Sequence, residues 1–186
     1  EYYSKVLDGA GRVAAVDIGW AGSGAMALSH LAEKVWGMGC EIIGLIAGTN
    51  TIHNSEPDAA EAFIQSGRLV AYLYSQHHNR DLLKYHAPAK DDNVFWELLL
   101  SSPTKPFTGF YEDGPHFGRT DIDGDKAARI QRGILDFADE YCLRFGKYPY
   151  MFNISGRDAY APMLCAAGNK RRYLRGMAER FDLSIN

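Results

Sequence analysis

The sequence predicts an α/β fold: a small parallel sheet with a Rossmann-like βαβ start, then a β-hairpin and a C-terminal helical part. Three observations predict it. Short apolar runs at 12–17 (RVAAVD), 40–47 (CEIIGLIA) and 68–74 (RLVAYLY) have the length of strands. Stretches with helical spacing lie between them, and a strand–helix–strand unit this short forces a parallel pair with a right-handed crossover. Asp113-Gly114, set between aromatic-rich runs, is a hairpin turn signal.

In chain order, Glu1 to Leu7 reads as the end of a helix and lacks a Met, so the chain is expected to start inside a longer polypeptide. Arg12 to Asp17 is expected to be a strand buried on both faces. Ile18 to Gly24 (IGWAGSG) is a glycine-rich turn, and Met26, Leu28, Leu31, Val35 and Trp36 mark a helix over 25–36 that Gly37 and Gly39 stop. Ser55-x-x-Asp58 forms a capping box, with Pro57 in the first turn and Gly67 at the far end, which predicts a helix over 56–66. Asp92 caps a helix through Val94, Phe95, Trp96, Leu98, Leu99 and Leu100, ended by Pro103. Phe107 to Tyr111 and His116 to Thr120 are the hairpin strands. The longest helix runs from about Gly124 to Phe145 with a buried stripe of Ala127, Ile130, Ile134, Ala138, Tyr141 and Phe145, and Gly146 as its C-cap. Shorter helices follow near 160–167 and 170–181. No repeat or linker interrupts the chain, so residues 1–186 are expected to form a single domain.

Hydrophobic residues at 46% and charged residues at 23% suit a folded globular protein, and eleven Tyr with nine Phe imply a ring-rich core or pocket. The net charge of -3 argues against broad nucleic-acid binding. Lys170-Arg171-Arg172 is too short to reverse that and reads as a solvated helix start. Cys40, Cys142 and Cys165 match no zinc spacing and are expected to be reduced, buried thiols, as in the cytoplasm. The apolar runs fall well short of the roughly 20 residues of a membrane span, and no signal peptide is recognisable.

The most site-like feature is the loop from Asp17 to Gly24. In open parallel sheets, ligands sit beyond the carboxyl ends of strands, where a helix N-terminus offers unpaired N–H groups and a positive dipole end. Gly19, Gly22 and Gly24 allow close backbone approach, Ser23 adds a hydroxyl, and Asp17 is placed to hold a sugar hydroxyl, a metal ion or a proton. The plainer reading is that the glycines only turn the chain and Asp17 caps the next helix; the loop matches neither G-x-G-x-x-G nor the P-loop. Trp20 either stacks on a base or sugar or anchors the core. Glu97 is the one acid in a very apolar helix, facing either inward with a raised pKa or outward to solvent.

The remaining candidates read as structural. Asp113 is a turn residue with Glu112 beside it in solvent. His77, His78 and His86 match no strong metal motif, and Asp121, Asp123 and Asp125 depart from the calcium-loop pattern, with Arg132 at the twelfth position, and suit helix capping. No G-x-S-x-G elbow or activated cysteine is present.

Val13 to Gly24 (VAAVDIGWAGSG) and Glu97 to Gly114 (ELLLSSPTKPFTGFYEDG) together resemble a region of large bacterial haloacid dehalogenase-like hydrolase proteins. That region follows the phosphatase-like core, in proteins associated with cell-surface polysaccharide glycosyltransferases. Asp17-Ile18-Gly19-Trp20 is the sharpest motif. The resemblance implies an upstream domain of the same polypeptide. It also implies that any catalytic carboxylates of a hydrolase lie in that upstream part; the cofactor is left open, with a divalent cation such as Mg2+ expected only if the parent is a phosphohydrolase. The phosphatase D-x-D is absent here, because Asp17 is followed by Ile18 and Gly19, so Asp17 is no aspartyl nucleophile.

Three functions follow as expectations. The first is an accessory domain that binds a phosphorylated or nucleotide-linked sugar, with Gly19, Trp20, Gly22, Ser23 and Gly24 as the ligand contacts. The second is a hydrolase or transferase using Asp17 and Glu97 as an acid/base pair. The third is a non-catalytic docking domain.

Overall fold

The structure, a computed structural model, describes residues 2–49, 58–83, 85, 96–97, 99–100, 102, 104–119 and 123–165. The expected capping box at Ser55 and Pro57, the helix start at Asp92, its stop at Pro103, Thr120, Asp121, His86 and the 170–181 helix lie outside these residues. The chain divides into two compact units, Glu1–His86 with Ser155–Ala161, and Ala87–Ile154 with Pro162–Asn186.

The first unit holds α1 (Tyr2–Leu7), β1 (Arg12–Asp17), α2 (Ser23–His30), β2 (Glu41–Gly48), α3 (Asp58–Gln65), β3 (Leu69–Tyr74) and α4 (Arg80–Leu83). The strands form a parallel sheet in the order β1-β2-β3, with Asp17 level with Ile46 and Gly44 level with Leu69. The expected α/β class and the βαβ start are therefore present. Helix α2 begins two residues before the expected start, because Gly22 adopts a left-handed φ of 70° and its carbonyl accepts the first helical bond, from Met26 N–H at 3.1 Å. Beyond His30 the helix widens into a π turn over Leu31–Val35, closed by Trp36 N–H on the Leu31 carbonyl at 2.8 Å. Gly37 and Gly67, at φ 62° and 73°, lie just past the ends of this helix and of α3.

Side-chain alternation along the strands separates two faces. On one, Val13, Ala15, Ile42, Ile46, Leu69 and Ala71 pack against Ala25, Leu28 and Ala32 of the first crossover and Ala60, Phe63 and Ile64 of α3. Gly44 lies between Ala25 and Leu69 on this face. Arg68 ties the crossover to β3: its guanidinium binds the Glu33 carboxylate and the Ser29 hydroxyl and lies 5.3 Å from the centre of the Phe63 ring. On the other face Val16 is 80% exposed, Val70 48% and Tyr72 47%. The expectation that β1 is buried on both faces is thus corrected. It is an edge strand of this sheet, and the helices that follow β1 and β2 both return to the same side.

Residues 156–165 form a further helix, α7, which starts earlier than the expected 160. Ser155 caps it: its Oγ accepts the Asp158 N–H at 3.1 Å and lies 2.8 Å from the Asp158 carboxylate. Gly156 is pressed against the Tyr72 carbonyl, Tyr160 stacks on Tyr74 at 5.5 Å, and Arg157 pairs with Asp81 of α4.

In the second unit, residues 96–97 and 99–100 are helical, and β4 (Phe107–Tyr111) pairs antiparallel with β5 (Gly114–Phe117). The hairpin is tighter than expected. Glu112 and Asp113 are its two turn residues and Gly114 already pairs with Tyr111; β5 ends at Phe117, and residues 118 and 119 are not part of it. Helix α5 (Gly124–Phe145) has the expected bounds. Asp123 caps it, accepting Lys126 N–H at 3.1 Å. Its stripe is only partly covered: Ala127 is buried, Ile130, Tyr141 and Phe145 are half-buried, and Ile134 and Ala138 are exposed. Gly146 keeps a right-handed φ of -57° and so ends the helix without a left-handed cap. The chain then enters a short helix the sequence reading missed, α6 (Pro149–Phe152), where the Met151 carbonyl accepts the Tyr141 hydroxyl.

Cys40 is buried, whereas Cys142 and Cys165 are exposed free thiols, which corrects the expectation for those two. Cys142 lies off the buried stripe of α5, where an apolar residue type does not ensure cover. Among the described residues no helix is long and apolar enough to cross a membrane.

Candidate functional site at the carboxyl edge of the sheet

The Asp17–Gly24 loop joins the carboxyl end of β1 to the first turn of α2. Asp17 folds back on it: Oδ1 accepts the Gly19 N–H at 3.1 Å. A methyl group built on Gly19 would lie 2.7 Å from Asp17 Oδ2, and one on Gly24 would lie 3.6 Å from the same oxygen. The carboxylate therefore sits between the loop and the helix start, where the dipole favours negative charge. Gly22 is required twice over, by its positive φ and by Leu69, whose Cδ2 would stand 2.6 Å from a methyl there. Leu69 thus presses the turn from beneath while Ser23 and Gly24 remain exposed above it. In any α-helix the first N–H groups lack intrahelical partners, so this exposed turn is able to donate to an anion or a hydroxyl.

Trp20 is half-buried, and its ring lies parallel to Tyr74 at 6.3 Å and 15°. Tyr74 in turn stacks on Tyr160, so the loop rests on a column of three rings. The structure thereby places Asp17, Gly19, Trp20, Gly22, Ser23 and Gly24 together. Glu97, half-buried, belongs to the second unit.

A second cluster escaped the sequence reading, in which His77 and His78 matched no strong metal motif. His77 Nε2 binds Glu61 Oε1, and Gln65 Nε2 donates to the same oxygen at 2.9 Å. The buried Ser75 hydroxyl accepts the N–H groups of His77 at 3.2 Å and His78 at 3.0 Å. Asn79, at φ 52°, donates from its side chain to the Leu73 carbonyl at 2.8 Å. Glu61 and His77 are sixteen residues apart on different elements, so no local motif announces the pair.

Asp113 is a turn residue as read, held 2.7 Å from His116 Nε2. Lys126 holds the Asp123 carboxyl below the usual carboxylate range through its side-chain and backbone hydrogen bonds, as Arg157 does for Asp81 through its side chain. Among the described residues no group of three or more His, Cys, Asp or Glu side chains is arranged to hold a metal ion. Comparison with protein-family models, curated proteins and solved structures found no match to this chain.

Proposed function

We propose that the chain is an accessory α/β domain of a haloacid dehalogenase-like or glycosyltransferase-associated bacterial protein, and that it binds a phosphorylated or nucleotide-linked sugar at the Asp17–Gly24 loop. One observation carries this reading: a left-handed glycine opens α2 at the carboxyl end of β1, leaving Ser23 and Gly24 exposed beside the Asp17 carboxylate. The amides of the first turn suit the anionic part of such a ligand. Asp17, already turned toward the loop, suits a hydroxyl and would repel a phosphate placed on it. The test is thermal unfolding with UDP-glucose, glucose 1-phosphate and inorganic phosphate. A probe at a hundred times its dissociation constant adds about 2.7 kcal/mol of stability. Asp17→Asn keeps the bond to Gly19 and is expected to weaken sugar binding about tenfold, by loss of a charge-assisted hydrogen bond. No shift with any probe removes the proposal.

A second reading, a docking domain for the upstream part of the same polypeptide, is favoured by the exposed apolar side chains Val16, Val70 and Tyr72. Binding to that upstream part, abolished by Val16→Asp and indifferent to Asp17→Asn, would favour it over the first.

A further inference from the structure

The Glu61–His77 pair is the strongest titratable cluster outside the Asp17 loop, and three observations place it at the same edge. Helix α3 leads into β3, so its first turn, with Glu61, lies at the end of the sheet where the parallel strands finish. His77 follows β3 by three residues and therefore stands at that end as well. Tyr74, the last residue of β3, carries Trp20 on its ring and immediately precedes Ser75, whose hydroxyl holds the backbone of His77. One short piece of chain thus contacts Trp20 through the Tyr74 ring and holds the His77 backbone through Ser75. Asp17, α2 and α3 share the helix-covered face of the sheet, so the two clusters also agree in face.

We propose that Glu61 and His77 form a second wall of the ligand site, opposite Asp17 and Trp20, and that this wall reads the hydroxyl groups of a sugar ring. The proposal rests on the sugar-binding reading above and adds to it which part of the ligand lies where. His77 is 57% exposed and Glu61 22%, so the imidazole is within reach of a ligand while the carboxylate orients it from behind. Gln65 fixes the carboxylate, and Ser75 with Asn79 fixes the loop, which leaves little freedom to lose on binding. Carboxylates at both walls disfavour a phosphate between them and accept from hydroxyls. The phosphate is left to the exposed turn at Ser23 and Gly24.

The test is calorimetric titration of the 186-residue chain with UDP-glucose and, separately, with UDP. The expected result is tighter binding of UDP-glucose than of UDP. His77→Ala and Glu61→Gln should each cost about tenfold, or 1.4 kcal/mol, with UDP-glucose and leave UDP unchanged. Melting curves matching the parent confirm that both variants fold; Glu61→Gln, the milder change, carries the test should His77→Ala melt early. Equal affinity for the two ligands, or variants that bind UDP-glucose as the parent does, overturns this inference and leaves the loop as a phosphate site. Binding of neither ligand overturns the loop site and this wall together.

Discussion

The two compact units differ in how far their apolar residues are put to use. In the first, Ile42, Leu69, Leu73 and Tyr74 are almost wholly buried between sheet, helices and the Tyr160 ring. In the second, Leu135, Phe137 and Leu143 of α5 are exposed, and Ala127 is the buried apolar residue among those described. Parallel pairing brings residues about thirty positions apart into register and stacks crossover helices on them. A hairpin and a long helix are closed by local bonds that bury little. Periodicity in the sequence names an element in either unit, but burial depends on what distant partner meets it.

The largest expected contrast sets Leu69→Ala against Phe137→Ala. The first empties a site that is 1% exposed and supports both Gly22 and Gly44, and is expected to cost about 2–5 kcal/mol in denaturant unfolding. The second, at a ring 68% exposed, is expected to stay within about 0.5 kcal/mol; a larger loss would show that α5 is covered and break the comparison. Next come two glycines. Gly22→Ala meets both the positive φ and Leu69 and is expected to cost roughly 1–3 kcal/mol while disturbing ligand binding at the loop. Gly133→Ala, inside α5 with open space around it, is expected to stabilise by about 0.5–1 kcal/mol. The smallest effect is with pH. Asp81 and Asp123 titrate below their unfolded value, so the stability they add is present above that value and is lost as pH falls through the lower native one. Both are exposed and their partners are solvent-screened, so acid melting curves of Asp81→Asn and Asp123→Asn should flatten only slightly relative to the parent.

Most elements of the first unit were legible because Arg12–Asp17, the run at 40–47 and that at 68–74 are short, apolar and punctuated by glycine. What could not be read was the uncovered face of β1. An apolar run such as RVAAVD looks the same whether one or both faces are packed. In the second unit the bounds of α5 followed from Asp123 and Phe145, while its stripe promised more burial than Ile134 and Ala138 receive. The site was half legible. Asp17 to Gly24 is contiguous and glycine-marked, so it stood out; Glu61 and His77 meet only once α3 and β3 are folded together.

Gly44 shows how the interior sets the position of the Ser23 turn. A methyl group on it would lie 2.7 Å from the Ala25 methyl and 2.6 Å from Leu69 Cδ1, so α2 rides on the sheet with no spacer between them. Ala25 is only one residue past Gly24, and any lift of the helix would carry the donor amides away from the Asp17 carboxylate, which is anchored to the strand. The aim of those amides is in effect calibrated at the centre of the sheet, by the absence of a single carbon atom.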